Sequence, residues 1–150
     1  MMKTLKTFIL ASSLVGTAAF AQSVELKCPE GTELFNSEGV VLYCVKPGQR
    51  RIDTTPYVML HKNGKVYAQG EFVDSKREGR WEYFDEEGRR TGVSHFKDDK
   101  FEGKRTFYDA EGHVREEQNW QDGKREGEQL RFEKGERRIR QYKADRLVTP

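Results

Sequence analysis

Glycine returns at a fixed interval of 24 residues in this chain: Gly64, Gly88 and Gly112 form one series, and Gly79, Gly103 and Gly127 another. Two bulky series run in phase with them, Phe72, Phe96 and Trp120, and Leu60, Phe84, Tyr108 and Phe132. Four series in register over three copies define a repeat. No other feature restricts the fold as strongly, because each short unit must gain its burial by stacking on copies of itself. A last copy, from Glu128, drops one residue before Gly135 and another before Tyr142, so it is short and degenerate.

Each copy reads as two strands. A stretch such as Arg80–Asp85 (RWEYFD) is followed by a turn signal ending in Gly88, then by a longer stretch, Arg89–Lys97, that ends in another turn, DDKFEG. Glycine supplies positive φ without a Cβ clash, and Asp or Asn tolerates the same region, so the six glycines Gly64, Gly79, Gly88, Gly103, Gly112 and Gly127 read as turn residues. Strand and turn alternating about every 12 residues predict an antiparallel meander. Helix is the competing reading for charge-rich stretches such as Val114–Gln129. The regular glycines and the lack of a sustained 3.6-residue apolar period argue against it.

Side chains alternate between the two faces of a strand. Trp81 and Tyr83 therefore share one face with Tyr57, Met59 and Phe107, while Leu60, Phe84, Tyr108 and Phe132 lie on the other. The series present in every copy is expected to stack along the array. The first face thins out to Arg105, Gln129 and Arg131, which marks it as the less obligatory face and a place to look for binding, at Trp81, Tyr83 and Phe107.

Residues 1–21 have a signal peptide's form: Lys3 and Lys6, an apolar run from Phe8 to Phe20, and the small-residue site Ala19-Phe20-Ala21. The run is roughly a dozen residues, short of the ~20 that span a bilayer. Cleavage near Ala21 is expected, with export to the periplasm or beyond. The remainder then has 25 basic and 25 acidic residues and is formally neutral. That excludes the basic footprint that nucleic-acid binding requires. Cys28 and Cys44 are an even pair in an exported chain and read as one disulfide, stabilising by about 3 kcal/mol on the chain-entropy model. Residues 22–53 are expected to form a disulfide-stiffened cap, and 54–150 the array.

The segments GRWEYFDEEGRRTGVSHFKDDKFEG and GKRTFYDAEGHVREEQNWQDGKREG resemble MORN-type repeats, in the bacterial variant with a G-x-W-x-x-Y/F-x-x-x-G core and a strand ending Y/F/W-x-D/N-G-K-x-x-G. The match runs over residues 56 to 146. Arg105 and Gln129 stand where Trp81 does, and Asp99 where Gly123 does. The resemblance implies an all-β fold, an elongated, single-layer antiparallel meander of β-hairpins. CPEGT and YCVKPG are similar to segments ahead of such arrays in exported bacterial proteins. Proteins with this variant are often labelled antitoxin-like, and eukaryotic relatives are associated with membrane lipids, scaffolding and dimerisation. None of this brings a catalytic residue.

Catalytic and metal motifs are missing from the sequence: it has no G-x-S-x-G elbow, H-E-x-x-H pair or P-loop. His61, His95 and His113 occupy different repeat positions and read as polar surface. DDKFEGKRTFYD has the acidity of a calcium loop, but Lys100 stands at its third position, where an oxygen ligand belongs. Glu128 to Pro150 holds seven basic and four acidic residues. Arg137, Arg138, Arg140, Lys143 and Arg146 there suit either a charged edge that resists aggregation or an anionic lipid or glycan, with Trp81, Trp120 and Tyr142 as flat platforms. The expectation is a non-enzymatic protein without cofactor or metal, a protein-interaction or scaffold module of the cell envelope. Its partner would be an envelope or extracellular protein, with the anionic surface as the alternative and an edge-strand homodimer a further prospect.

Overall fold

A computed structural model describes residues 26–37, 40–50, 52–53 and 55–148; the leader assigned to 1–21 lies outside the described residues. The N-terminal strands are β1 (Glu33–Ser37), β2 (Val41–Val45), β3 (Thr55–Leu60) and β4 (Val66–Val73). The centre holds β5 (Lys76–Phe84), β6 (Arg90–Lys97), the two-residue β7 (Lys100–Phe101), β8 (Gly103–Tyr108) and β9 (Val114–Gln121). Last come the two-residue β10 (Lys124–Arg125), β11 (Gly127–Glu133), β12 (Glu136–Lys143) and β13 (Arg146–Leu147). All pair antiparallel in one open sheet in chain order, with β7 and β10 as short side ladders on β6 and β9. The fold is an all-β meander, and no helix occurs among the described residues.

Two kinds of turn alternate. The loops ending at Gly64, Gly88 and Gly112 are closed by hydrogen bonds such as Asp85 N to Arg89 O (3.0 Å) and Gly88 N to Asp85 O (3.0 Å). Gly88 takes φ 86°, the left-handed residue that ends a three-residue hairpin loop. Asp85 Oδ1 accepts from the amides of Glu87 and Arg89, and Asp109 does the same for Glu111 and His113. The opposite turns have two central residues, both with positive φ, as at Asp74 (49°) and Ser75 (64°) or Asp122 (49°) and Gly123 (77°). These are the primed turns that match strand twist. Gly79, Gly103 and Gly127, expected in turns, instead stand at positive-φ bends just after the short ladders, where the chain changes strand partner.

The repeats are tied where the two-residue turns meet the preceding copy. Asp99 N donates to Arg77 O, Gly123 N to Phe101 O and Asp145 N to Arg125 O. Arg77 returns the bond through its amide and Nε to Asp99 Oδ1, as Arg125 does to Asp145 Oδ1. Phe101 stands where these arginines do, and its turn partner is Gly123 rather than Asp. The departure at Asp99 thus follows from an Arg–Asp tie in two copies and a Phe–Gly contact in the other.

Burial is concentrated on the first face, near the N-terminal end. Tyr43, Val45, Tyr57, Trp81 and Phe96 form the core cluster, with Phe35, Phe72, Tyr83 and Phe101 packed on it. Ring contacts run unbroken from Phe35 through Tyr43, Tyr57, Trp81, Phe96 and Phe101 to Trp120, with centroids 4.7 to 6.4 Å apart. The expectation that this face is the less obligatory one is therefore corrected. On the opposite face Leu42, Val58 and Val93 are buried, Phe84 and Tyr108 are half-buried and Phe132 is exposed. The strands β1 and β2 extend the sheet at its N-terminal end, and the Cys28–Cys44 disulfide (Cα–Cα 5.4 Å) pins the segment before β1 to β2.

Candidate binding surface

Along one row of the first face, cross-strand neighbours read Tyr57, Gly70, Trp81, Ser94, then Arg105, Gln118, Gln129 and Arg140. The row begins as core and ends as polar surface. At its start Gly70 makes room for the Trp81 indole; a Cβ there would lie 2.3 Å from the ring. Trp81 is only 4% exposed and its Nε1 donates to Glu71 O. It belongs to the core and offers no platform. Tyr83 and Phe107 are half-buried on the same face, Phe107 carrying the Arg105 guanidinium at 4.6 Å from its ring centre.

Arg105 takes the position of Trp81 one copy on. Its guanidinium lies between Phe101 and Phe107, and burial lowers its pKa from the ordinary arginine value. Its Nε and the Gln129 Oε1 are buried without a protein partner. Trp120 closes the aromatic series; its Nε1 donates to Gln118 Oε1, and Gln118 Nε2 donates to Glu116 Oε1. A depression of about 140 Å³ opens beyond it, lined by Gln118, Gln129, Arg131, Arg138, Arg140 and Tyr142 among others.

The basic residues of β12 divide between the faces. Arg138, Arg140 and Tyr142 continue the first face, while Arg137 lies on the other with Ile139, which is 46% exposed. Arg137 is 3.9 Å from Glu128, and Arg138 is 3.6 and 3.7 Å from Glu133 and Glu136. Arg140 has no carboxylate partner among the described residues. Tyr142 has its ring covered by Arg125, at 4.2 Å.

The backbone of β12 is the feature that side-chain patterns did not bring out. In the three complete copies a register shift follows Met59, Tyr83 and Phe107, where Tyr67, Thr91 and Arg115 bulge out of the ladder. Between β11 and β12 seven consecutive pairs, Gly127 with Tyr142 through Glu133 with Glu136, run without a shift. The two residues missing from the last copy are a loop residue and this bulge residue. A two-residue turn, Lys134 (φ 52°) and Gly135 (φ 80°), replaces the three-residue loop. The deletions were visible in the sequence; that they remove the bulge was not.

Among the described residues only the C-terminal end of β12 is covered on its outer side. Tyr142 and Lys143 pair with β13, and Val148 N donates to Gln141 O (2.7 Å). That bond shows which way the strand faces, so Arg137 and Ile139 also aim their amide groups outward. Among the described residues no strand accepts them.

Two of the three histidines bond across the sheet. His61 Nε2 donates to Phe84 O (2.9 Å) and His95 Nδ1 to Lys104 O (2.8 Å), while His113 lies 3.5 Å from Asp109 in a turn. No group of three or more metal-binding side chains occurs among the described residues.

No family model and no curated protein matches the chain. Among solved structures it is similar to the pneumococcal O-GlcNAc transferase GtfA in complex with UDP and GlcNAc, at 22% identity and TM-score 0.42 over 71% of this chain and 20% of that one. A GtfA/B complex gives 22% identity and TM-score 0.41 over 74% and 20%. A point mutant of TarM from S. aureus gives 13% and 0.25 over 72% and 21%. The chain spans about a fifth of those proteins, and a likeness this slight bears on neither its activity nor its ligands.

Proposed function

We propose that this chain is a non-enzymatic, exported MORN-variant repeat protein that serves as a protein-interaction or scaffold module of the cell envelope. The observation that carries the reading is the outer edge of β12 from Glu136 to Arg140, which runs without a bulge and which no described strand covers. A regular edge with free amides is the geometry by which sheets accept an extended segment from another chain. Bulges, which twist an edge away from such pairing, stand in β4, β6 and β9 and not here. The first-face rings from Phe35 to Trp120 are meanwhile engaged with one another, and the C-terminal copy offers its unbulged edge instead.

Capture from native envelope extract by the immobilised protein, in parallel with an Ile139→Pro variant, tests this reading. Proline removes an outward N–H that no described residue uses, so strand docking is blocked while the fold is retained. A stoichiometric protein that survives high salt and is lost with Ile139→Pro is the expected result. Equal capture by both proteins would refute docking at this edge.

The second reading, a binder of anionic lipid or glycan, is supported by Arg138 and Arg140 on one face, Arg140 without a carboxylate partner among the described residues. Each basic side chain near an acidic membrane contributes about 1 kcal/mol. It predicts binding to phosphatidylglycerol vesicles that salt abolishes and that Ile139→Pro leaves unchanged.

A further inference from the structure

We infer that the occupant of the β12 edge is an acidic extended segment of another protein, with carboxylates at alternate positions placed over Arg138 and Arg140. The inference rests on the interaction-module reading and adds the chemistry of the partner. Its geometric basis is the register of the sheet. Because side chains two apart share a face, a strand laid along Glu136–Gln141 sets every second residue beside the first-face arginines. Arg140 is free to meet an acid there, and Arg138 holds Glu133 and Glu136 only at 3.6 and 3.7 Å, contacts that a closer carboxylate displaces.

The same charges disfavour a second copy of this chain. Pairing β12 with itself about Ile139 sets Arg138 opposite Arg140 of the other copy, at both ends of the contact. Like charges directly opposite each other destabilise a strand pair. An acidic strand reverses that term and adds backbone hydrogen bonds from Arg137 and Ile139.

The test uses the whole protein and a fluorescent synthetic peptide of about eight residues, close to the usual strand length, with glutamate alternating with threonine and valine. A second peptide has the same composition with its glutamates in one block. Binding is read by anisotropy at physiological salt. The alternating peptide is expected to bind, and the block peptide to bind more weakly. Arg138→Glu/Arg140→Glu, which alters only exposed side chains, is expected to weaken the alternating peptide by about tenfold or more, as reversal of facing charge requires. Ile139→Pro should weaken it comparably, with circular dichroism and melting confirming that both variants remain folded.

Several results overturn the proposal, and they separate it from the reading beneath it. Equal affinity for the two peptides, or indifference to Ile139→Pro, means charge attraction without strand addition. An envelope protein whose capture needs Ile139 but tolerates Arg138→Glu/Arg140→Glu leaves the docking edge standing and removes the acidic occupant. Loss of both peptide binding and Ile139-dependent capture removes the reading itself.

Discussion

Position 81 and position 129 are the same place in the repeat, two copies apart, and they do opposite things. Trp81 is buried over Gly70 and ties Tyr57 and Phe72 to Phe96. Gln129 is as deeply enclosed, at 7% exposed, yet its Nε2 bonds Asn119 O while its Oε1 has no protein partner. The same backbone frame thus surrounds an aromatic anchor at one end and an under-satisfied amide at the other. Hydrogen bonds and the repeat ties hold both regions, but dispersion and hydrophobic burial hold chiefly the first. A repeat array stabilised by nearest-neighbour interfaces tolerates such a gradient, because its copies need not contribute equally.

The largest expected effect comes from breaking the aromatic end. Trp81→Ala should destabilise by about 3–5 kcal/mol, the range for buried aromatic truncations, whereas Gln129→Ala should change stability by less than about 1 kcal/mol because one of its polar atoms is already unpaired. Thermal melting of the two variants checks this; similar losses would abolish the contrast. Gly70→Ala comes next, because its Cβ would overlap the indole and overpacking of this kind costs about 1–3 kcal/mol. In a Trp81→Ala background that loss should shrink, so a double-mutant cycle isolates the contact.

A smaller effect probes what the regions share. Gly112 has φ 87° and open space around it, so Gly112→Val should lose more than about 1 kcal/mol through backbone strain alone. Unchanged melting would refute the turn's dependence on positive φ.

Acid titration gives the smallest and most distributed effect. Hydrogen bonds from Arg77, Lys76 and Arg125 hold Asp99, Asp98 and Asp145 below the ordinary carboxylate value. Burial pushes Glu82 up, but Gln69, Arg80 and Arg90 outweigh it and leave that carboxyl lowered too. With folded values below unfolded ones, this stabilisation is complete above the unfolded pKa values and is lost as pH falls through the folded ones. Melting temperature should therefore drop between about pH 5 and pH 3, and hydrogen exchange there should show the repeats beyond Trp120 opening before those around Trp81.

The candidate site was legible in part. Arg137, Arg138 and Arg140 stand out in the sequence as a local charge excess, but which of them share a face with Gln129, and that Arg140 meets no carboxylate among the described residues, depended on the register of β11 with β12. The burial of Trp81 was not legible from alternation, which assigns a residue to a face without saying how tightly that face is filled. The signal that carries it is its row: Gly70 and Ser94 flank Trp81, whereas Gln118 flanks Gln129, a pairing of small with large that the 24-residue spacing contains.

The residues alone determined the antiparallel meander, its period and the Cys28–Cys44 pairing, since glycine at positive φ and strand alternation are local properties that recur wherever the pattern does. Only the tertiary structure decided how burial divides between the faces and that β12 runs without a bulge, with no described strand along its outer edge before β13. Those depend on register, where the loss of two residues removes a bulge, and register is a relation between strands that neither strand's own sequence carries.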